Sequence, residues 1–482
     1  MRPRRLPAIF PGLLVLVAAA GVGLAAGLDW DPKPVKDDPL VRMPGTQLDQ
    51  GVTLEAPNRC LNCHGDYDPA AEPGLHWKGS MMAQAARDPM FWACLTAAAQ
   101  DSIWALGNPN ATDLCLRCHF PAGWLGGRSD PTNASLMSST DFDGITCDFC
   151  HRLYDPFART THDGSREGKD WIGYWDEKGN TGPGSQTLSQ IEADVTLAAD
   201  FAQQTMIRLF SGEAFFANSL PRYATYGENT SGQYYVATTT DKRAGFADAT
   251  GRHPMRYSRH HKSRYFCATC HDVSNPVLAN LRKPLPDPSG GKHLISEQYS
   301  AANYFHVERT FSEFALSAFG QPGGAATSAE FRAQGAPTVT WAAKCQDCHM
   351  RDVVGAAADK NNAVVRPTGS QEHPASGQPL HDLTGGNAWI SRILASLDPT
   401  HALYDARNAA ILGQGPSVLT LNLNAGQTPV VNGKALAAGS ERALAQLRLA
   451  ATITDLSYSA STGRLVFRVQ NNTGHKLISG FP

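Results

Sequence analysis

No long basic run and no excess of positive charge mark this chain, whose formal net charge is −2 over 482 residues. A nucleic-acid partner is therefore not expected. After the N-terminal segment no apolar run approaches the length that crosses a bilayer, so the body of the protein is expected outside the membrane. Unassigned cysteine is also scarce, because ten of the eleven fall in one repeated pattern. That leaves Cys94 without a partner and argues against a disulfide framework. Cys94, in Phe91-Trp92-Ala93-Cys94-Leu95, reads as a small buried apolar residue.

The repeated pattern is Cys-x-x-Cys-His. It occurs at Cys60-Leu61-Asn62-Cys63-His64, Cys115-Leu116-Arg117-Cys118-His119, Cys147-Asp148-Phe149-Cys150-His151, Cys267-Ala268-Thr269-Cys270-His271 and Cys345-Gln346-Asp347-Cys348-His349. Composition alone predicts far less than one match in a chain this long. The spacing has a chemical reason: two thiols three positions apart on one helical turn can each form a thioether to a haem vinyl group. The adjacent His then lies under the iron as its proximal ligand. Five covalently bound haem c groups are expected, tethered by Cys60, Cys63, Cys115, Cys118, Cys147, Cys150, Cys267, Cys270, Cys345 and Cys348. Their irons would be held by His64, His119, His151, His271 and His349. Tetrahedral zinc and a redox dithiol are weaker alternatives, since neither needs a His directly after every second Cys.

Residues 1–28 read as a signal peptide or membrane anchor, with Arg2, Arg4 and Arg5 before an apolar run from about Leu13 to Leu28. Cleavage is favoured, and the expected location is periplasmic or outer-surface. Any membrane contact would be through that N-terminal segment. An Asp- and Pro-rich linker over 29–57 precedes a pentahaem domain at 58–415, which carries an insertion of about 171–255 that could form its own lobe. Motifs 2 and 3 are expected to be near neighbours. The fold class is mainly α, with extensive loops packed around covalent haems. A C-terminal β region at 416–482 follows, sandwich-like and incomplete within the given sequence.

Local patterns sharpen this reading. A helix is expected from Met90 to Leu106, with Ser80 as a cap upstream. Leu188 to Ala217 has helical periodicity with Ile191, Val195, Leu197, Phe201, Met206, Leu209 and Phe210 on its apolar face. Tyr234 to Thr240 reads as a short strand, 284–291 as a loop, and 300–319 as a helix. A helical region interrupted near Pro399 spans Asn387 to Leu412, and alternation on either side of Ser461-Thr462-Gly463 predicts a β-hairpin.

Each iron needs a sixth ligand unless it is open for chemistry, and eleven histidines lie outside the motifs. The surplus favours bis-His ligation. The distal candidates are His76 beside Trp77, His162 soon after motif 3, His306 on the expected helix, and His381 before a glycine pair that allows close backbone approach. His475 depends on how the β region docks, and Met82 is the one non-His candidate. His260 and His261 lie in a basic cluster with Arg256, Arg259, Lys262 and Arg264, which more often means propionate pairing or a solvated face. His253, His293, His373 and His401 have no distinguishing context.

On these motifs the chain resembles bacterial multihaem c-type cytochromes of the exported tetrahaem and octahaem superfamily. The resemblance extends to Trp77-Lys78-Gly79-Ser80-Met81-Met82-Ala83, Asp143-Gly144-Ile145-Thr146-Cys147, Glu308-Arg309-Thr310-Phe311-Ser312-Glu313-Phe314 and Thr473-Gly474-His475-Lys476. Related proteins often carry Ser-x-His where this chain has Ser80-Met81-Met82. The superfamily includes pentahaem nitrite reductase and hydroxylamine oxidoreductase, but the Cys-x-x-Cys-Lys of the former's catalytic haem has no counterpart here. The resemblance implies electron transfer between redox partner proteins. The alternatives are an oxidoreductase acting on a small nitrogen or sulfur oxyanion at one open haem beside the basic cluster, and a C-terminal docking module.

Overall fold

The computed structural model describes residues 33–48, 50–168, 175–177, 184, 186–222, 230–275, 305–334, 339–369, 372–412 and 431–477. The export segment, the loop expected at 284–291 and His293 lie outside them. The helices are α1 Pro57–His64, α2 Pro73–Lys78, α3 Pro89–Leu106, α4 Asp113–His119, α5 Pro121–Leu125, α6 Cys147–Arg152, α7 Ala158–His162 and α8 Leu188–Gln204. They continue with α9 Arg264–Ala268, α10 Thr310–Leu316, α11 Ala329–Arg332, α12 Gln346–His349, α13 Ala388–Ala395, α14 Ala406–Leu412 and α15 Gly433–Leu449. Apart from two-residue pairings, the strands are β1 Lys242–Ala244, β2 Met255–Tyr257, β3 Val273–Asn275, β4 Phe305–Glu308, β5 Ala451–Ser459 and β6 Arg464–Asn471. Strands β1 and β2 pair in parallel, whereas β3 with β4 and β5 with β6 are antiparallel.

Every motif sits on or at the end of a short helix, and the local chemistry explains why. Pro57 occupies the first turn of α1, where its missing N–H costs nothing. The Thr146 hydroxyl accepts from Phe149 N at 3.3 Å and starts α6, and Ser263 accepts from Tyr265 N at 3.0 Å and starts α9. Asp88 caps α3 by accepting from Met90 N at 2.8 Å. Ser80, expected in that role, instead donates to Trp77 O within the preceding turn.

The main core gathers Phe91 and Leu95 of α3, Leu116 of α4, Phe120, Trp124 and Leu125 around α5, Phe149 of α6, and Phe142, Ile145, Tyr234 and Val236 from loops. The later part of the expected insertion is thus built into the core and does not stand apart as a lobe. Tyr234 to Ala237 is buried, but pairs as a single bridge between Val236 and Leu153 and not as a strand. The described part of the expected linker is also packed. Arg117, itself buried, donates to Pro44 O at 2.9 Å and lies over the Trp124 and Tyr234 rings at 4.6 and 4.8 Å. Cation–π contact and backbone hydrogen bonds together hold residues 43–46 to the core.

Three expectations need correcting. The helix begun at Leu188 ends at Gln204, and its buried face is Ser189, Ala193, Thr196, Asp200 and Gln204, not the apolar stripe. Polar partners outweigh periodicity here: Asp200 accepts from Arg243 at 2.8 Å and Ser189 bonds the Glu372 carboxylate. In the described part of 300–319, strand β4 precedes a shorter helix, α10. The region after residue 416 begins its described part with α15, not with strands. That helix packs with α13 through Ile390, Leu394 and Leu436. The interruption near Pro399 does separate α13 from α14.

The hairpin β5–β6 pairs Ile453 with Val469 and Tyr458 with Leu465, with an irregularity between Thr454 and Ser457. It follows α15 and projects exposed strands from it. Helix α15 meets the turn after α2 at Gly439 and Gly79, so closely that a Cβ on Gly439 would overlap Gly79 O. Alanine is the better helix former by roughly 1 kcal/mol, yet the overlap should cost more. Gly439→Ala is expected to lower the unfolding free energy by about 1–3 kcal/mol, read from urea unfolding; a gain in stability would show that this contact does not hold the helix.

Candidate functional site

All motif cysteines are free and half-buried, and Cys94 is exposed on α3, contrary to its reading as a core residue. Thiols of different motifs lie near one another: Cys60 and Cys147, Cys118 and Cys270, and Cys267 and Cys345. Motif 3 therefore neighbours motif 1, and motif 4 neighbours both 2 and 5. Motifs 2 and 3 share the core around Leu116 and Phe149, against which Cys115 and Cys150 also pack. Among the described residues no group of three or more His, Cys, Asp or Glu side chains could hold a metal ion by itself.

Four of the five motif histidines share one second contact. His64 Nδ1 donates to Ala357 O at 2.7 Å, His119 to Ala85 O at 3.0 Å, His151 to Arg243 O at 2.7 Å and His349 to Thr384 O at 2.6 Å. With the proton on Nδ1, the Nε2 lone pair is left for iron, and the ring's orientation is set by backbone. At His119, His151, His271 and His349 burial also favours the neutral form that ligation needs, and it pushes His119 down to about 4. These residues fit a haem iron.

The carbonyls that anchor them come from distant segments. Arg243 O is offered by β1, whose own side chains are tied on both sides: Arg243 to Asp200 of α8 at 2.8 Å, and Lys242 to Asp148 of α6. Ala85 O belongs to the turn after Trp77-Lys78-Gly79-Ser80-Met81-Met82-Ala83. That turn is held by Ile145 N donating to Met82 O at 3.0 Å, Trp77 Nε1 donating to Ile145 O at 2.8 Å, and the buried ion pair of Arg87 with Asp143 at 2.8 Å.

Histidines outside the motifs face three of these rings. Iron–nitrogen bonds of about 2 Å on either side of one metal put trans imidazole centroids about 6 Å apart. His64 and His253 stand 6.4 Å apart, His349 and His475 6.5 Å, and His151 lies 6.1 Å from His381 and 5.8 Å from His261. Hydrogen bonding separates the last two: His261 Nε2 is engaged with Cys150 O at 3.0 Å, whereas His381 uses Nδ1 on Pro379 O at 2.9 Å. His253 had no distinguishing context in sequence because its facing partner lies 189 positions away.

The other candidates are not placed opposite a motif His. His162 pairs with Asp194 at 2.7 Å near the surface. His306 is on strand β4, not on a helix, and lies exposed against Arg309. His76 is buried with neither ring nitrogen hydrogen-bonded, beside Arg442 and Asp382. Met82 packs against the main core. The basic cluster is largely spent: Arg256 pairs with Asp241 at 2.5 Å, Arg259 with Glu177 at 2.8 Å and Arg264 with Glu167 at 3.8 Å. Lys262 reaches His373 Nδ1 and Ser376 Oγ, each at 3.4 Å.

A protein-family model described as cytochrome c554 and c-prime matches residues 59–152, the stretch that holds the first three motifs. No curated protein and no solved structure matches the chain.

Helix α4 opens on Asp113, whose buried carboxylate accepts from Trp124 Nε1 at 3.0 and 2.9 Å. Burial pushes this carboxyl up to about 6, against about 3.9 in an unfolded chain. The folded protein holds the proton more tightly, so this contribution to stability is full below about pH 4 and is lost as pH rises through about 6. Asp113→Asn keeps an acceptor for Trp124 and is expected to flatten the stability profile over that interval, measured by urea unfolding at stepped pH; an unaltered slope would remove Asp113 from the account.

Proposed function

We propose that this c-type cytochrome, an electron-transfer protein with covalently bound haem, is exported and carries five haems that relay electrons between redox partner proteins. The observation that carries the reading is the repetition of one arrangement: two thiols on a helical turn, then a histidine whose Nδ1 is pinned by a distant carbonyl in four of the five motifs. Each bound haem would supply a one-electron store. The chain's part is to hold the groups near one another, keep their histidines neutral and tune each potential by ligand and burial.

The contacts support a definite order. Motif 1 adjoins motif 3 through Cys60 and Cys147. Motif 3 reaches motif 4 through His261, which bonds Cys150 O and packs on Phe266, the residue before Cys267. Motif 4 adjoins motif 2 through Cys118 and Cys270, and motif 5 through Cys267 and Cys345. In this order the fourth group is the junction. His253 is assigned to the iron at His64 and His381 to the iron at His151, on their facing rings.

Export is proposed on the N-terminal segment, and among the described residues no helix is long and apolar enough to cross a membrane. The test is chemical. The pyridine haemochrome spectrum and intact mass of protein recovered from the periplasmic or surface fraction should give five haems per chain, all reducible by dithionite. A count below five, or retention in the cytoplasm, would overturn the reading. Cys267→Ala with Cys270→Ala should remove one haem and slow electron transfer between the remaining four, seen as multiphasic reoxidation in stopped flow; unchanged kinetics would remove motif 4 from its position as junction.

A further inference from the structure

The segment Thr473-Gly474-His475-Lys476 lies just beyond the C-terminal hairpin, 126 positions from His349 to His475, yet the two rings stand 6.5 Å apart and are inclined by only 16°. His475 Nδ1 is directed to Lys476 O at 3.2 Å, which leaves Nε2 as the basic nitrogen, as at His349. We propose that His475 is the sixth ligand of the haem attached at Cys345 and Cys348, delivered by the C-terminal hairpin and positioned by Glu313. The inference rests on haem binding at motif 5, which the reading above requires.

The segment is built to hold that ring still. Asn471 Nδ2 donates to His475 O at 2.8 Å, and Thr473 Oγ1 donates to the same oxygen at 2.5 Å. The turn is docked on α10: Glu313 accepts from Lys476 N at 2.9 Å, and its other oxygen lies 3.1 Å from Lys476 Nζ. Gly474 allows the approach, since a Cβ there would fall 2.6 Å from the Phe314 ring. Helix α10 is in turn tied to motif 4. Phe311 N donates to His271 O at 2.8 Å, and the Asp272 carboxylate accepts from Ser312 Oγ at 2.8 Å and Arg309 at 3.1 Å. At the other end, Asn472 N donates to Ala450 O at 3.0 Å and Asn472 Nδ2 to Leu449 O at 3.3 Å, fixing the base of the hairpin to α15. The ligand's support therefore draws on α15 at one side and on α10, beside motif 4, at the other.

One consequence is chemical. A thioether sulfur in place of the second imidazole raises a haem's potential, and loss of the sixth ligand converts ferric iron from low to high spin. The experiment uses the full, haem-loaded protein, with the haem count established first so that failure of the five-haem reading is recognised separately. In His475→Ala, low-temperature EPR of the ferric protein should lose one haem's share of low-spin signal and gain a high-spin signal, and added imidazole should reverse the change. His475→Met should keep the haem count while one potential in the redox titration rises. Glu313→Gln should leave the count unchanged and increase CO binding to the reduced protein by up to one per chain, because Lys476 loses its ion pair and the ring is less firmly held. A full haem count with unaltered spin state in His475→Ala and unaltered potentials in His475→Met would overturn the proposal.

Discussion

An imidazole has two nitrogens, and an iron ligand needs one of them free of protons and aimed. The fold meets that need with backbone carbonyls at His64, His119, His151 and His349, drawn from Ala357, Ala85, Arg243 and Thr384. A carbonyl has no proton to lose and little freedom once its segment is packed, so it sets the tautomer and the ring plane at once. Much of the surrounding structure can be understood as support for those carbonyls. Strand β1 is tied through Arg243 to one helix and through Lys242 to another, and the turn that carries Ala85 is anchored by Arg87 and Asp143.

That support is unusually ionic for an interior. Arg87 with Asp143, Arg243 with Asp200 and Arg259 with Glu177 are all buried pairs. Such pairs contribute little net stability, because each charge must first leave water, but removal of one partner strands the other. Their value is geometric. They join segments far apart in sequence at fixed distances, in a protein whose apolar clusters are several and separate. Helix α6 is tied to strand β1 in the same way, through Lys242 and Asp148.

The segments that carried the resemblance to multihaem cytochromes meet in space. Trp77 to Ala83 lies against Asp143 to Cys147 through Trp77 Nε1 and Ile145 O and through Met82 O and Ile145 N. Glu308 to Phe314 lies against Thr473 to Lys476 through Glu313 and Lys476. Each pair flanks a motif histidine or a ring facing one. They support the ligands as pairs, which neither member reveals alone.

The attachment chemistry was legible in the sequence because Cys-x-x-Cys-His is a local requirement, met within one helical turn. The α3 helix and the hairpin were legible for the same reason, their signals being contiguous and periodic. The facing histidines were legible only in part: His381 was an expected distal candidate and His475 hung on how the β region docks, but His253 had no context of its own, His306 sat in an expected helix that is partly strand, and His162 pairs with Asp194. The polar buried face of α8 was equally hidden, since Asp200 is interior only because Arg243 is there to meet it. The sequence by itself determined where each Cys-x-x-Cys-His motif stands and which histidine follows each pair of thiols, since those relations span five residues. Only the tertiary structure decided which motif neighbours which and which imidazoles face the rings of His64, His151 and His349, because those distances are set by carbonyls and ion pairs between segments many residues apart.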